Sequence, residues 1–186
     1  LEFDFEIVHK INESKEISKP EVLQLVKEIS KETIFGIAEN LRDDRKGKTI
    51  SFSKKAFFNI VNLCRDTCSY CTYKAEPNDT KLSMMNIQAV KGLADIAKKY
   101  NCTEALFVTG ERPEQKYPEA KRWLKKEGFS STPEYLIHCS EIVLKKGVFT
   151  HTNEGNLTKN EMNELKKSNV SMGVMLENSS IRLREK

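Results

Sequence analysis

From Ala56 to Met175, short apolar runs and longer stretches of helical period take turns along the chain, and that alternation admits few folds. Ala56–Val61, Thr103–Val108, Val148–Thr150 and Val170–Met175 read as strands. Met84–Tyr100 reads as a helix, with Ile87, Val90, Leu93, Ala94 and Ala97 on one face. Pro118–Lys126 is a short helix that Gly128 stops, and Pro133–Lys146 has proline at its start and Gly147 at its end. Thr158 with Glu161 forms a capping box and opens a helix to about Ser168. Strand and helix at this spacing predict parallel βαβ units with right-handed crossovers. The expected class is therefore α/β, a partial TIM-type barrel with about four βα units.

The segment before the alternation reads as a separate helical lead-in, residues 1–48, with the barrel portion at residues 49–186. Residues 1–17 are mixed. Ser18 opens a long helix, with Pro20 in its first turn and Glu21 three residues on, the pattern of a capping box. Val22, Leu25, Val26, Ile29, Thr33, Ile37 and Leu41 carry the helical period, and the charged run Arg42–Lys48, with Gly47, ends it. Thr49–Ser53 reads as a short strand leading in.

Composition limits the partners. Thirty-one basic and 27 acidic residues leave a formal charge of +4, spread as KK and KR pairs among acids in the manner of solvated helix faces. Nothing in that charge calls for nucleic acid. The apolar runs are far shorter than the roughly 20 residues that cross a bilayer, and the first ten residues carry scattered acids and no signal-peptide core. Five cysteines without an export signal point to a reducing cytoplasm. No membrane partner is expected.

Chemistry concentrates where the first strand ends. In AFFNIVNLCRDTCSYC, Cys64, Cys68 and Cys71 fall within eight residues, with Tyr70 before the last. Three thiolates can hold three corners of a [4Fe-4S] cluster and leave one iron open to a small molecule. Three other readings compete. A structural zinc site needs a fourth ligand, from Cys102, Cys139 or a histidine, all distant in sequence. A disulfide framework sits badly with an odd count of five in a chain of 186 residues. Chance clustering of buried thiols is the third. Cys102 and Cys139 read as small packed hydrophobes, and His9 and His138 as structural or exposed.

Parallel-strand barrels gather their chemistry at the C-terminal ends of the strands. The second strand is followed by Thr109, Gly110 and Glu111, the third by His151 and Asn153, and the fourth by Glu177. Gly110 admits close approach to the backbone, and Glu111 suits a ligand ammonium, or else is a solvated acid paired with Arg112. His151 can donate a hydrogen bond, move a proton or bind metal, or pack as a polar strand end. Asn153 can contact a ligand or cap a turn. Glu177 can take ribose hydroxyls or cap a loop.

The C-x3-C-x2-C spacing after the first strand, with Gly-Glu after the second, resembles the radical S-adenosylmethionine (SAM) enzymes. Within them, NLCRDTCSYCTY, LFVTGERPEQKYPEAKRWL, FTHTNEGNL and SMGVMLENSS are similar to the deazaflavin-forming synthases of coenzyme F-420 biosynthesis, over about Thr49 to Leu183. The resemblance implies that Cys64, Cys68 and Cys71 hold a [4Fe-4S] cluster and that SAM binds its open iron. It places Tyr70 near the adenine, Gly110 and Glu111 in the family's Gly-Gly-Glu site with Thr109 replacing the first glycine, and Glu177 near the ribose. It implies a 5'-deoxyadenosyl radical that cyclises a hydroxybenzyl-ribityl-uracil adduct with loss of ammonia. A partner radical SAM subunit would supply that adduct and an external reductant one electron. His151 and Asn153 are candidates for substrate contact or proton handling. The family's barrels have six βα units and four are legible here, so the remaining strands and much of the substrate wall are expected outside this chain. Another radical SAM activity, or a non-catalytic metal-binding module, stays open at this point.

Overall fold

Four parallel strands alternate with helices in the computed structural model, which describes residues 2–176 and 179–184. Two compact units divide between Phe52 and Ser53.

The first unit is helical: α1 (Glu2–Asn12), α2 (Lys19–Glu28) and α3 (Lys31–Lys46). The single long helix expected from Ser18 is thus two helices, and the mixed lead-in holds a third. The predicted capping box at Ser18 is formed, with Glu21 reaching back to the Ser18 N–H (2.8 Å). The break comes at Ile29, whose backbone is extended, because Ser30 caps a new helix by accepting the Thr33 N–H (3.2 Å). The apolar period runs on through this break. Residues 49–53, expected as a strand, have no regular structure.

The second unit carries β1 (Lys55–Val61), α4 (Ile87–Lys99), β2 (Glu104–Thr109), α5 (Pro118–Glu127), α6 (Thr132–Lys145), β3 (Phe149–Asn153), α7 (Lys159–Leu165), β4 (Ser171–Gly173) and α8 (Ile181–Arg184). The strands pair in the order β1-β2-β3-β4, all parallel. Asn86 sets the start of α4 by accepting the Ala89 N–H, while Met84 and Met85 stay bridged to β1.

The two faces of the sheet differ, and the difference places the site. Alternate side chains Phe58, Ile60, Ala105, Phe107, Thr150 and Thr152 are buried. They meet the core cluster formed with Val90, Ala94, Leu136 and Val143 of the helices, and the Phe58 and Phe107 rings lie 5.0 Å apart. The opposite face carries Phe57, Leu106, Val108, His151 and Asn153, less buried, with Phe57 exposed. Register stacks this face in layers. Phe57, Leu106, His151 and Ser171 lie side by side, and Asn59, Val108, Asn153 and Gly173 form the next layer toward the strand ends. This is the inward face of a partial α/β barrel.

Strand β3 is longer than the sequence predicts. His151 and Asn153 belong to the strand and not to the loop after it. The threonines that alternate with them keep the strand going because each finds a partner: the Thr150 hydroxyl donates to the Ser168 carbonyl, and the Thr152 hydroxyl to Asn169 Oδ1 (2.8 Å).

Candidate functional site

The cysteine loop is rooted at the tip of β1. Asn62 folds the chain beyond it, accepting from the Ser83 N–H through its side chain (2.8 Å) and donating to the Lys81 carbonyl (2.9 Å). The Tyr73 hydroxyl lies within reach of the Val61 and Val108 carbonyls (3.3 and 3.2 Å) and so fastens the loop across the ends of β1 and β2. Cys64 is half-buried. Its sulfur accepts main-chain N–H groups from Asp66 (3.4 Å) and Glu111 (3.3 Å). The Cys71 sulfur accepts the Lys74 N–H (3.4 Å), and Cys68 and Cys71 are exposed. Donors aimed at sulfur tune the potential of a bound cluster.

The second strand's tip is packed against this loop. Gly110 donates to the Val61 carbonyl (2.7 Å), and a Cβ on it would lie 2.6 Å from the Leu63 carbonyl carbon and 2.8 Å from Cys64 Cβ. Only glycine allows that approach. Thr109, the last residue of β2, turns its hydroxyl to the Gly110 carbonyl (3.1 Å). Glu111 is 8% exposed and is held from two sides. Arg65 of the cysteine loop pairs with its Oε1, and Asn156 donates both its main-chain N–H (3.2 Å) and its amide (3.2 Å) to Oε2. The sequence alternative, pairing with Arg112, is not what forms. Arg112 binds Glu161 (2.7 Å) and the Asn156 carbonyl (3.1 Å). Glu114, the last residue of the Gly-Glu-Arg-Pro-Glu run, is buried and accepts the Thr132 hydroxyl (2.6 Å) at the start of α6.

At β3, Ser171 fixes the His151 ring through Nδ1 (2.6 Å), and Gly173 stands beside its Nε2 and the Asn153 amide. The next residue is a feature the sequence reading missed. Glu154 is 2% exposed, and among the described residues neither carboxyl oxygen has a hydrogen-bond partner. Burial, against the pull of Arg112 and with repulsion from Glu114, Glu161 and Glu111, pushes its carboxyl up to about 8. Ionising in the unfolded chain near 4.5 but in the fold only near 8, it makes stability fall as pH rises between those values. We expect wild type to lose about 2 kcal/mol or more of unfolding free energy relative to Glu154→Gln between pH 5 and pH 8. Urea titrations at the two pH values measure this, and parallel pH profiles would contradict it.

These loops enclose a cleft of about 300 Å³ lined by Cys64, Asp66, Cys68, Val108, Thr109, Glu111, Asn153, Glu154, Gly155, Asn156, Val174 and Met175. It brings together predicted residues from the ends of three strands. Gly110 lies behind it against Leu63. His151 stands one layer deeper, and Tyr70 and Cys71 lie outside the lining, with Tyr70 largely exposed. Glu177 lies outside the described residues. Among the described residues, no three His, Cys, Asp or Glu side chains converge on one ion-sized position. The donor chemistry nonetheless fits an iron-sulfur group: soft sulfur ligands at strand ends, two of them met by main-chain N–H donors. Among the described residues, three carboxyl side chains and no lysine or arginine line the cleft. Desolvation, then the charge of Glu111, pushes the Asp66 carboxyl up, against the pull of Arg65 and Lys116. Arg65, Glu154 and Asn156 were not singled out, although Arg65 falls in NLCRDTCSYCTY and the other two in FTHTNEGNL after a strand end.

No family model matches the chain. Among curated proteins it is 41% identical over 137 residues to the 7,8-didemethyl-8-hydroxy-5-deazariboflavin synthase of Methanopyrus kandleri, covering 73% of this chain and 41% of that protein. It is 40% identical over 168 residues to the protein of the same name from Methanococcus maripaludis, covering 90% of this chain and 46% of that one. The FO synthase of Nocardia farcinica matches at 38% over 140 residues, 73% of this chain and 16% of that protein. The chain therefore spans less than half the length of these relatives. Among solved structures, methylornithine synthase superposes with a TM-score of 0.73 at 16% identity, over 97% of this chain and 50% of that one. HydG, a maturase of the [FeFe]-hydrogenase, superposes at 0.67 and 17%, over 90% and 35%. Among the described residues no helix is long and apolar enough to cross a membrane.

Proposed function

The chain is a relative of the 7,8-didemethyl-8-hydroxy-5-deazariboflavin synthases with the partial-barrel fold of radical SAM proteins, and from that premise we propose that it is a radical SAM enzyme of deazaflavin biosynthesis. The observation that supports this most is the cleft, where Cys64, Cys68 and Glu111 meet on a lining that, among the described residues, carries three carboxyl groups and no basic side chain, Arg65 reaching Glu111 from outside it. Such a lining suits a ligand that carries both a sulfonium and an ammonium.

Cys64, Cys68 and Cys71 would hold the [4Fe-4S] cluster, which when bound supplies a single electron to the SAM sulfonium. Glu111 receives the ammonium of SAM, and its fixed carboxylate gives orientation at low entropic cost. The main chain at Thr109 and Gly110 would flank that group, with Tyr70 proposed as the adenine contact and Glu177 as the ribose contact. His151 and Asn153 face inward and meet the substrate. Ser171 sets the His151 ring so that its other nitrogen can carry a proton during loss of ammonia. The substrate is the hydroxybenzyl-ribityl-uracil adduct, delivered by a partner radical SAM subunit, and the product is 7,8-didemethyl-8-hydroxy-5-deazariboflavin. An external one-electron reductant in the cytoplasm completes the system.

Anaerobic reconstitution with iron and sulfide tests the reading. About four irons per chain, and formation of 5'-deoxyadenosine from SAM and dithionite, are expected. One tightly held zinc with no iron would sink it in favour of a metal-binding module. Conversion of the adduct to a deazaflavin separates this activity from other radical SAM chemistry.

A further inference from the structure

We infer that Asn156 is a positioning residue for the ammonium-binding carboxylate, and that the loop Gly155–Asn156 is shaped to hold Glu111 at one angle. The inference rests on the reading that Glu111 receives the ammonium of SAM. Asn156 reaches Glu111 twice, by its main-chain N–H (3.2 Å to Oε2) and by its side-chain amide (3.2 Å to Oε2, 3.4 Å to Oε1). Two donors from one residue fix both the place and the tilt of a carboxylate, and hydrogen bonds to a charged acceptor are the strong kind. Gly155 comes close enough that a Cβ would lie 3.1 Å from Glu111 Cδ and 3.3 Å from Cγ, with Oε2 closer still, and its φ of +94° is one that side chains disfavour. The loop therefore packs its bare backbone against the carboxylate and places the amide beside it.

The far side of the same carboxylate is held by Arg65, which sits between the first two cysteines of the metal loop and also donates to Gln115 (2.6 Å). Glu111 is thus a junction where the ends of β1, β2 and β3 lock together. A carboxylate buried to this degree, fixed by three donors and lining the cleft, avoids the rotamer entropy a loose glutamate would lose on binding a cation. Asn156 also lines the cleft, so a direct contact with SAM competes with the route through Glu111, and only an effect taking that route disappears when Glu111 is changed.

That route gives the test. SAM binding to the reconstituted chain is measured by calorimetry for wild type, Asn156→Ala, Glu111→Gln and the double variant, with methylthioadenosine, which lacks the amino acid part, as the comparison ligand. Asn156→Ala is expected to weaken SAM by about tenfold, the loss of one hydrogen bond to a charged group, and to leave methylthioadenosine unchanged. In the Glu111→Gln background the same substitution should cost nothing further. Equal losses in both backgrounds, or equal losses for both ligands, would overturn the positioning role and indicate a general structural one. If Glu111→Gln itself leaves SAM affinity unchanged, the ammonium site is elsewhere and both the reading and the inference fall. Asn156→Asp serves as a second variant of near-equal size. It sets a like charge against Glu111, and its loss of SAM affinity should exceed that of Asn156→Ala.

Discussion

Replacing Gly110 with alanine is expected to lower the stability of the barrel unit by about 4 kcal/mol, in the range reserved for a buried clash that cannot relax. The added carbon would meet the Leu63 carbonyl group and Cys64 Cβ, which are backbone and near-backbone atoms with no rotamer to escape into. Two relaxations are open. The tip of β2 can withdraw, which breaks the Gly110 N–H bond to the Val61 carbonyl (2.7 Å). Alternatively Leu63–Cys64 can be pushed outward, which takes the Cys64 sulfur from the Glu111 N–H (3.3 Å). Either way the cysteine loop and the carboxylate lose their shared anchor, so iron uptake should fall along with the denaturation midpoint. Gly92 and Gly36 provide the contrast. Both are helical, with nothing within 4 Å of an added Cβ, and alanine there should raise stability by about 0.5–1 kcal/mol. A wild-type midpoint for Gly110→Ala would show that the two strand tips are not in contact.

The same close packing explains what could be read in advance and what could not. The strands β1 and β2 were legible because AFFNIV and EALFVT combine aromatic and branched residues with turn signals on either side. The capping boxes at Ser18 and Thr158 were legible because they are local, complete within four residues. Strand β3 was read short because His151, Thr152 and Asn153 look like loop until Asn169 and Ser171, from beyond the next helix, satisfy the first two. The helix break at Ser30 was hidden by an apolar period that crosses it undisturbed. Glu111 could be singled out by its place after a strand. Its partners could not, since Arg65 and Asn156 stand 46 and 45 residues away along the chain and meet only when three strand ends close together. Glu154 falls within FTHTNEGNL, but its isolation is a property of burial that no motif shows.

Alanine at Cys68 should reduce reconstituted iron to background and abolish SAM cleavage while leaving the apo protein as stable as wild type. Three sulfur ligands hold the cluster on this reading, and removing one leaves an iron without its thiolate. Cys68 is exposed, and the bond it gives the loop, from the Cys71 N–H to its carbonyl (3.1 Å), is main-chain and survives the substitution. Cys64→Ala separates the two roles of a sulfur. It too should lose the iron, but it also strips the acceptor from the half-enclosed N–H groups of Asp66 and Glu111, so the apo protein should lose about 1 kcal/mol as well. Cys102, half-buried and packed against the core, serves as the control: Cys102→Ala should keep its iron. Iron analysis and chemical denaturation on the four proteins decide the matter. Retention of iron by Cys68→Ala, or its loss from Cys102→Ala, would move the metal away from the loop at the end of β1, and the charge pattern of the cleft would then need another ligand to explain it.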